Sequence, residues 1–350
     1  MSAAIDRLAP VVRLAPAKVN LTLAVVGRRS DGFHALHSVM VPLELADRLS
    51  VSPLAPPPAG EPVVDSLHVT GFDPGPVEAN LVLRAFSMTR AFVRPMWPGA
   101  PAEPPPLAAR LEKRIPVAAG LGGGSSDGAA AIDAALEAWG AAASADERTE
   151  LAAALGSDVP FFLAGGFALV EGRGERVTPL AGLRATEPPG VLVVTPSVAV
   201  STARVFAAYA AAGVTPATAS RITSAHLADE LATGTLGAAE LLARAGVLAT
   251  ANDLVVATGV VDPRLPRFRR SLARLLGRPV GQSGSGPSLW ALYPSLDAAA
   301  TAAGVVSGAL EARSLVAPDP EPAAVIATRF AATTLVRRNR GERSTKEVEA

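Results

Sequence analysis

The chain has 350 residues, which is long for one small domain and sufficient for two. Its 32 Lys and Arg residues balance 32 Asp and Glu residues, so it lacks the basic excess that nucleic-acid-binding proteins usually show. The absence of cysteine excludes disulfides, a thiolate nucleophile and cysteine-ligated metal centres.

The first twelve residues contain no long apolar stretch, and the uncharged windows further along are interrupted by Gly, Pro and Ser. We therefore expect neither a signal peptide nor a membrane span. The composition predicts a soluble cytoplasmic protein with neither nucleic acid nor a membrane as its partner.

The first half of the chain predicts strands separated by loops. Residues 18–26 alternate polar and apolar side chains, which predicts a half-buried strand with Lys18 and Asn20 on one face. Further strands are expected at 38–45, 48–52, 63–70 and 107–115, with a helix at 80–92. The stretches 53–62 and 95–106 are rich in proline and are expected to be loops.

The second half mixes helices and strands. Helices are predicted at 126–139, in the region up to 251, and at 266–276 and 296–312. Another helix is predicted to begin at Ser144, because Ser144 and Glu147 have the spacing of a capping box. Strands are predicted in a hairpin at 166–180 and at 191–195, 288–293 and 323–330. This irregular order favours an α+β fold with domains at 1–185 and 186–335, divided by turn residues at 183–190. A charged tail, 336–350, is expected to be disordered.

The densest glycine segment runs from Val117 to Gly128. Glycines let backbone N–H groups converge on an anion, and the following helix points the positive end of its dipole at the same place. The segment has neither the Gly-Lys-Ser/Thr of a Walker A loop nor the third glycine of a dinucleotide fingerprint. A phosphate-binding loop is one interpretation, and a linker or an ordinary loop before a helix is the other.

Two charged residues could act on a substrate at such a loop. Asp158 lies between Gly156, a predicted helix end, and a Pro-Phe-Phe run, where it could be a general base for a hydroxyl or cap a helix. Lys18 begins a strand, where it could neutralise charge during phosphoryl transfer or be an ordinary solvated lysine.

Two loops carry a further signal. Residues 31–34, Asp-Gly-Phe-His, taken alone predict a turn with an exposed ring. Residues 281–287, Gly-Gln-Ser-Gly-Ser-Gly-Pro, precede a predicted strand and form either a plain loop or a second backbone surface that faces the anion.

Three of these motifs occur in an order that resembles the GHMP small-molecule kinases. They are Pro16-Ala17-Lys18-Val19-Asn20-Leu21, Gly120-Leu121-Gly122-Gly123-Gly124-Ser125-Ser126 and the loop 281–287. The segments 29–34 and 156–162 resemble, more narrowly, the branch that phosphorylates 4-diphosphocytidyl-2-C-methyl-D-erythritol in the non-mevalonate isoprenoid pathway. The resemblance extends from about residue 14 to residue 330.

The resemblance implies a two-lobed α+β kinase. Its N-terminal lobe would resemble domain 2 of ribosomal protein S5, and its C-terminal lobe would be ferredoxin-like. ATP and Mg²⁺ are the implied cofactors, and the substrate is a small cytidylyl compound phosphorylated at its 2-hydroxyl. Because the glycine loop has few cationic side chains, Mg²⁺ is expected to neutralise much of the triphosphate. Ser126 is one candidate ligand for it, and the sequence identifies no acidic one.

The resemblance also assigns roles to residues. Lys18 and Asp158 match the catalytic pair, with Asp158 as general base and Lys18 as its electrostatic and orienting partner. The matching ATP-binding residues are Asn80, Pro116, Val117, Ala118, Ala119, Gly120, Leu121, Gly122, Gly123, Gly124, Ser125 and Ser126. The matching substrate-binding residues are Asn20, Phe33, His34, Phe206, Ser283, Gly284, Ser285 and Gly286.

The chain departs from the family in places, and two other functions stay open. Phe33 stands where the family usually has Tyr, which keeps stacking but removes a phenolic hydrogen bond. The proline-rich loops and the charged tail look long for the family. A homoserine or mevalonate kinase would not need the cytosine clamp of Phe33, His34 and Phe206. A catalytically silent nucleotide-binding sensor would need neither Lys18 nor Asp158.

Overall fold

The structure, a computed structural model, describes residues 9–58, 60–98, 103–213 and 218–331. Its strands are β1 (Val11–Asn20), β2 (Ala24–Arg28), β3 (His34–Pro53), β4 (Ser66–Gly71), β5 (Leu107–Lys113), β6 (Ala168–Gly172), β7 (Arg176–Pro179), β8 (Gly190–Thr195), β9 (Gly281–Gln282), β10 (Leu289–Tyr293) and β11 (Ala324–Arg329). Its α-helices are α1 (Leu81–Val93), α2 (Gly123–Trp139), α3 (Ala145–Leu155), α4 (Val159–Ala164), α5 (Thr202–Ala211), α6 (Thr218–Thr233), α7 (Ala238–Ala243), α8 (Ala245–Leu248), α9 (Leu254–Val261), α10 (Arg264–Leu276) and α11 (Leu296–Glu311). The predicted α+β class is confirmed.

The strand β3 organises the first sheet, which contains β1 to β7. Its residues 40–51 pair with β1 and residues 48–53 with β5, whereas residues 34–40 pair with β2 and β6. β4 lies parallel to β5, and β7 forms a hairpin with β6. Two strands were expected at 38–45 and 48–52, but β3 is continuous because Ala46 and Asp47, between them, keep their pairing with β1.

The second sheet is antiparallel, in the order β11-β8-β10-β9. Along β8, Val191 and Val193 pack into a core shared with the first sheet, while Leu192 and Val194 pack against α10 and α11. This alternation follows from the two-residue period of a strand, and it explains why residues 191–194 of β8 are all apolar.

The change from the first sheet to the second falls between Pro179 and Gly190, the interval that contains the expected domain boundary at residue 185. The lobes share one hydrophobic core, and β11 returns to the first lobe, where Phe330 pairs with Leu43. The division at 1–185 and 186–335 stays a prediction. The charged tail, 336–350, lies outside the described residues, as do residues 332–335.

Several expected element boundaries were wrong. The strand expected at 18–26 is two strands, because the chain turns at residues 21–23, where Leu23 pairs with Asn252. α2 begins at Gly123, three residues earlier than expected, and so includes part of the glycine segment. α9 was missed because its valines and its glycine disfavour helix; it packs against α5 and α10 and shares an apolar cluster with Leu23 and Val25.

The end of the second proline-rich loop is anchored rather than detached. The indole N–H of Trp139 donates to the Pro105 carbonyl at 3.0 Å, and Arg90 Nε donates to the Pro104 carbonyl at 3.3 Å.

The capping box of Ser144 and Glu147, at the start of α3, is confirmed. Among the described helices, none combines the length and the hydrophobicity that spanning a membrane requires.

Candidate active site

Lys18 and Asp158 are brought together from distant parts of the sequence. Lys18 lies on β1 and Asp158 immediately precedes α4, and Lys18 Nζ is 3.6 Å from Asp158 Oδ2. The lysine side chain is only 4% exposed, whereas the aspartate side chain is 34% exposed. The pair therefore combines an enclosed amino group with a carboxylate that a substrate can reach.

A chain of hydrogen bonds fixes the amino group of Lys18. Lys18 Nζ donates to Asn20 Oδ1 at 2.7 Å, as their position on one face of β1 allows. The Asn20 amide in turn donates to Ser38 Oγ at 2.8 Å, which donates to the Thr22 carbonyl at 2.6 Å. Burial lowers the pKa of Lys18, and the neighbouring Asp158 carboxylate opposes that shift.

Asp158 stands at the N-cap position of α4 but does not act as a cap. Its side chain accepts no capping hydrogen bond, and the Val159 N–H donates instead to the Gly156 carbonyl at 3.2 Å. Pro160, in the first turn, needs no N–H partner. The alternative role as a helix cap is therefore not the one that the structure shows.

A cavity of about 310 Å³ lies in front of the N-terminus of α2. It is lined by most of the expected ATP-binding residues: Asn80, Pro116, Val117, Ala118, Ala119, Gly120, Gly122, Gly123, Gly124 and Ser125. Leu121 points into the core instead, and Ser126 lines a different cavity. The glycine segment thus forms the wall of a pocket, which a linker would not do.

The backbone at this cavity is suited to an anion. The Ser126 N–H, which donates to the Gly122 carbonyl at 2.9 Å, is the first in α2 to bond within the helix. The N–H groups of residues 123–125 precede it and have no partner within a helix, so they can bind a phosphate. The Asn80 side chain, beside the cavity, accepts from the Val82 N–H at 3.0 Å and caps α1.

Two glycines allow the other motifs to approach this loop. A Cβ on Gly120, whose φ is 77°, would lie 2.4 Å from the Ser283 carbonyl oxygen. A Cβ on Gly122, whose φ is 72°, would lie 2.7 Å from the ring of Phe162. Larger residues would push the loop away from both neighbours. The Lys18 N–H also donates to the Leu121 carbonyl at 2.9 Å, so β1 is fixed against the same loop.

The loop at 281–287 lies against the Lys18 end of the site. The Cβ position of Gly284 is 3.6 Å from Lys18 Nζ, and Ser283 Oγ donates to the Gly120 carbonyl at 2.8 Å. The Asn252 amide holds this loop by donating to the Gln282 and Gly284 carbonyls at 3.0 and 2.9 Å. Sequence reasoning missed Asn252, because an asparagine between two helices has no distinctive pattern.

The expected cytosine-binding residues form an aromatic patch on the β2–β3 hairpin and α5. The rings of His34 and Phe206 stack with centroids 5.3 Å apart. Phe33 is 53% exposed, and the Arg173 guanidinium lies over its ring at 5.6 Å. Partial burial and the charge of Arg28 lower the pKa of His34, which favours the neutral ring. Ser285 Oγ, bonded to Thr202 Oγ1 at 2.9 Å, connects the loop 281–287 to α5.

A buried ion triad lies beneath the glycine segment, and nothing in the sequence predicted it. Lys113 Nζ donates to Asp47 and, at 2.7 Å, to Asp127 Oδ2. Asp47 also accepts the N–H groups of Arg114 and Ile115, at 2.5 and 2.9 Å. The triad therefore joins β3, the end of β5 and the first turns of α2.

The charges of the triad are unbalanced, since two carboxylates share one ammonium. Burial raises the pKa of Asp127 to about 7 against the attraction of Lys113, and the charge of Asp47 adds to the rise. Burial alone would lower the pKa of Lys113, but the two neighbouring carboxylates outweigh burial and raise that pKa. Among the described residues, Asp47 accepts hydrogen bonds from two backbone N–H groups, and Asp127 accepts none from the backbone. Asp127 is therefore the carboxyl group that takes up a proton.

The donor groups of the cavity do not fit a magnesium site built by the protein. Among the described residues, no group of three or more acidic or histidine side chains is placed to hold a metal ion. Asp127 is held by Lys113, and Ser126, whose hydroxyl has no hydrogen-bond partner in the part of the chain that the structure describes, lines the other cavity. Mg²⁺ commonly binds through substrate phosphates and water with only one or two carboxylates.

The fold and this loop define the class of the protein. Residues 80–166 match the family model of the GHMP kinases N terminal domain. The structure resembles a homoserine kinase from Cytophaga hutchinsonii, with a TM-score of 0.61 and 18% identity, over 93% of this chain and 96% of that one. The chain has the two-lobed GHMP kinase fold.

Relatives of higher identity narrow the assignment. The 4-diphosphocytidyl-2-C-methyl-D-erythritol kinase of Pelotomaculum thermopropionicum is 40% identical over 83% of this chain and 91% of the relative. That of Symbiobacterium thermophilum is 39% identical over 81% and 90%. A crystal structure of 4-(cytidine 5'-diphospho)-2C-methyl-D-erythritol kinase superposes with a TM-score of 0.64 and 32% identity, over 91% of this chain and all of that one. The chain belongs to the 4-diphosphocytidyl-2-C-methyl-D-erythritol kinase family, and it is a phosphotransferase with an alcohol group as acceptor.

Proposed function

We propose that the chain transfers the γ-phosphoryl group of ATP to the 2-hydroxyl of 4-diphosphocytidyl-2-C-methyl-D-erythritol. The observation that carries this proposal is the 3.6 Å approach of Lys18 Nζ to Asp158 Oδ2, beside a loop whose N–H groups are available to phosphate. Membership of the family supports the choice of substrate.

Asp158 is the general base of this proposal. Its carboxylate is partly exposed and makes no capping hydrogen bond, so it can accept the proton of a bound hydroxyl. The hydroxyl oxygen then bonds to the γ-phosphorus, the bond from that phosphorus to the bridging oxygen breaks, and ADP leaves.

Lys18 orients the reacting groups and stabilises their charge. The Asn20 amide oxygen restricts its amino group to one position, from which it reaches Asp158. In its charged form, this group attracts both the Asp158 carboxylate and the oxygens of the transferring phosphoryl group. A fixed charge in an enclosed site stabilises a transition state more than one in water does.

The donor nucleotide is proposed to bind with its phosphates against residues 120–125. The N–H groups at the start of α2 provide hydrogen bonds, and the helix dipole adds partial positive charge. Mg²⁺ would arrive bound to the phosphate oxygens of ATP and would neutralise part of their charge. No step here depends on a metal ligand from the protein.

The aromatic patch is proposed to hold the cytosine ring. Phe206 and Phe33 offer faces for stacking, and a neutral His34 can donate or accept a hydrogen bond at the edge of the base. Homoserine and mevalonate have no base to stack, so this patch supports the cytidylyl acceptor over those two.

The test is a competition between acceptors, followed by mass spectrometry. The full chain is incubated with ATP, Mg²⁺ and equal amounts of 4-diphosphocytidyl-2-C-methyl-D-erythritol, homoserine and mevalonate. Only the cytidylyl compound should gain a phosphoryl group, and CMP should slow the reaction. Phosphorylation of another acceptor would favour a different GHMP kinase. Binding of ATP without transfer to any acceptor would favour the sensor.

A further inference from the structure

The β6–β7 turn, residues 173–175, packs against the peptide group that precedes the proposed general base. Gly174 in this turn has a φ of 127°, a backbone conformation that favours glycine. A Cβ at this position would lie 2.5 Å from the Ser157 carbonyl oxygen and 3.0 Å from its carbonyl carbon. Because these are backbone atoms, they cannot move aside as the end of a flexible side chain can. The turn therefore supports the chain directly before Asp158.

The helix that follows Asp158 rests on the same hairpin. Phe161, on α4, packs in an apolar cluster with Ala168 and Val170 of β6, and Val177 of β7 lies against that cluster. Among the described residues, the Asp158 side chain makes no capping hydrogen bond that would fix it to its own helix. Apart from its approach to Lys18, Asp158 is thus positioned by the contacts that its neighbours make with the β6–β7 hairpin.

The β6–β7 turn also contacts the loop that carries Phe33. The Arg173 guanidinium lies over the Phe33 ring at 5.6 Å, and the Arg173 N–H donates to Glu175 Oε2 at 2.7 Å. Arg29 Nη1 donates to Glu175 Oε1 at 3.3 Å, and Arg29 Nε donates to Asp31 Oδ2 at 3.0 Å. Asp31 Oδ1 in turn accepts the Phe33 N–H at 3.1 Å. One turn therefore contacts both the proposed cytosine-binding loop and the chain that carries the proposed general base.

We propose that the β6–β7 turn positions Asp158 and connects it to the site that holds the cytosine ring. Gly174 fixes the place at which the chain enters Asp158, and Glu175 fixes the turn to the loop that carries Phe33. Both are positioning residues, because they act through other residues rather than on the substrate. This inference rests on the proposed function, in which Asp158 is the general base.

The connection has a consequence for the choice of acceptor. A cytosine ring stacked on Phe33 restricts the loop that carries it, and the contacts of Arg173 and Glu175 pass that restriction to the β6–β7 turn. The turn then holds Asp158 where the acceptor hydroxyl lies. A compound without the base does not provide this restriction, so it should react more slowly even when it is bound.

The main test is the single-turnover rate of Gly174→Ala in the full chain, with saturating ATP, Mg²⁺ and cytidylyl acceptor. The added methyl group must displace the turn or the Ser157 carbonyl, and a shift of about 1 Å at a reacting group can cost about 100-fold in rate. We expect the rate to fall at least about tenfold. Gly182→Ala is the matched control, because Gly182 has a φ of 92° but its Cβ would meet only the Phe167 ring, at 3.5 Å. Its rate should stay within about twofold of the unsubstituted chain.

A double variant distinguishes positioning from a general loss of structure. In the Asp158→Asn background, Gly174→Ala should change the rate less than about twofold, because the carboxylate through which Gly174 acts is gone. The same loss in both backgrounds would overturn the proposal, as would a rate within about twofold of the unsubstituted chain for Gly174→Ala alone. An unchanged rate for Asp158→Asn by itself would instead overturn the proposed function, and this inference with it.

Glu175 tests the connection without strain in the backbone, and it decides the matter if Gly174→Ala does not fold. Glu175→Ala should lower the single-turnover rate several-fold and raise KM for the cytidylyl acceptor, while the dissociation constant for ATP stays the same. Glu175→Gln keeps an oxygen for the Arg173 N–H and should recover part of the rate. Glu150→Ala, at an exposed position on α3, is the control and should change none of these quantities. If Glu175→Ala behaves like Glu150→Ala, the proposed connection is wrong.

Discussion

Two lysines of the first lobe are buried beside aspartates, and they are arranged differently. Lys18 has one carboxylate neighbour, Asp158, at 3.6 Å, and that carboxylate is partly exposed at the mouth of the site. Lys113 has two carboxylate neighbours, Asp47 and Asp127, both almost completely buried. Lys18 therefore faces a place where a substrate can enter, whereas Lys113, although it also borders the cavity at the glycine loop, is held by two carboxylate partners of its own.

The difference shows how one pair of residue types serves two purposes. A carboxylate that is held loosely and reached by solvent can exchange a proton with a substrate. Carboxylates that are enclosed and share an ammonium join chain segments and cannot be released without a large cost. We expect substitutions at Lys18 to act on rate and substitutions at Lys113 to act on stability.

The largest effect on rate, apart from that of the general base itself, is expected for Lys18→Met. Methionine keeps the apolar stem but removes the charge, so kcat should fall by about 10²–10³-fold. The dissociation constant for ATP should change much less, because the loop 120–125 binds the phosphates with backbone groups. Steady-state kinetics and calorimetric titration with ATP measure the two quantities. A kcat within about threefold of the unsubstituted chain would remove Lys18 from the chemistry.

The largest effect on stability is expected for Lys113→Met. Removing the ammonium leaves two carboxylates buried together, and breaking a buried ion pair in this way costs about 3–5 kcal/mol. Urea unfolding measures the change.

A double variant sharpens this second prediction. Adding Asp127→Asn to Lys113→Met removes one of the two uncompensated charges and should restore part of the lost stability. If Lys113→Met instead unfolds like the unsubstituted chain but loses kcat, the separation of the two lysines into catalytic and structural roles is wrong.

A smaller effect concerns pH. The pKa of Asp127 is about 7 in the folded chain and about 3.9 when unfolded, so the folded state holds a proton that the unfolded state has lost. The stability that this proton contributes is complete below about pH 4 and disappears as pH rises to 7. The free energy of unfolding of Asp127→Asn should therefore rise relative to the unsubstituted chain between pH 5 and pH 8, by roughly 1–4 kcal/mol.

Urea unfolding at several pH values measures this rise, and Asp146→Asn, at an exposed position on α3, is the matched control. The control should show no such trend. A constant difference between Asp127→Asn and the unsubstituted chain across this range would mean that Asp127 does not take up the proton.

The smallest effect is expected at the aromatic patch. Phe206→Ala removes a stacking face worth about 0.5–1.5 kcal/mol, so KM for the cytidylyl acceptor should rise by about 2–12-fold with little change in kcat. Phe206→Leu, which keeps an apolar side chain without the ring, should show most of the same rise. An unchanged KM in both variants would place the cytosine ring elsewhere.

The sequence predicted local relationships more reliably than distant ones. The alternation along β1 placed Lys18 and Asn20 on one face, and the structure joins them at 2.7 Å. The capping box of Ser144 and Glu147 likewise depends on residues three apart. The approach of Lys18 to Asp158 was expected only from the resemblance, because no periodicity relates a strand to a helix end so far along the chain.

The buried triad could not be predicted in this way. Lys113 stands in an alternating strand, where a lysine most often faces solvent, and Asp127 looks like an ordinary residue near the start of a helix. Only the packing of α2 against β3, together with the pairing of β3 with β5, encloses them together, and that arrangement depends on three segments far apart in sequence. Charged residues become buried as a group, so a single position carries no sign of it.

The central claim is that Asp158 removes the proton from the acceptor hydroxyl, and the most direct test is the single-turnover rate of Asp158→Asn. The enzyme in excess over acceptor is mixed with ATP and Mg²⁺, and the phosphorylated product is followed by rapid quench. We predict a rate about 10²–10⁴-fold below that of the unsubstituted chain, with ATP binding and unfolding free energy retained. A rate within about threefold of the unsubstituted chain would contradict the account.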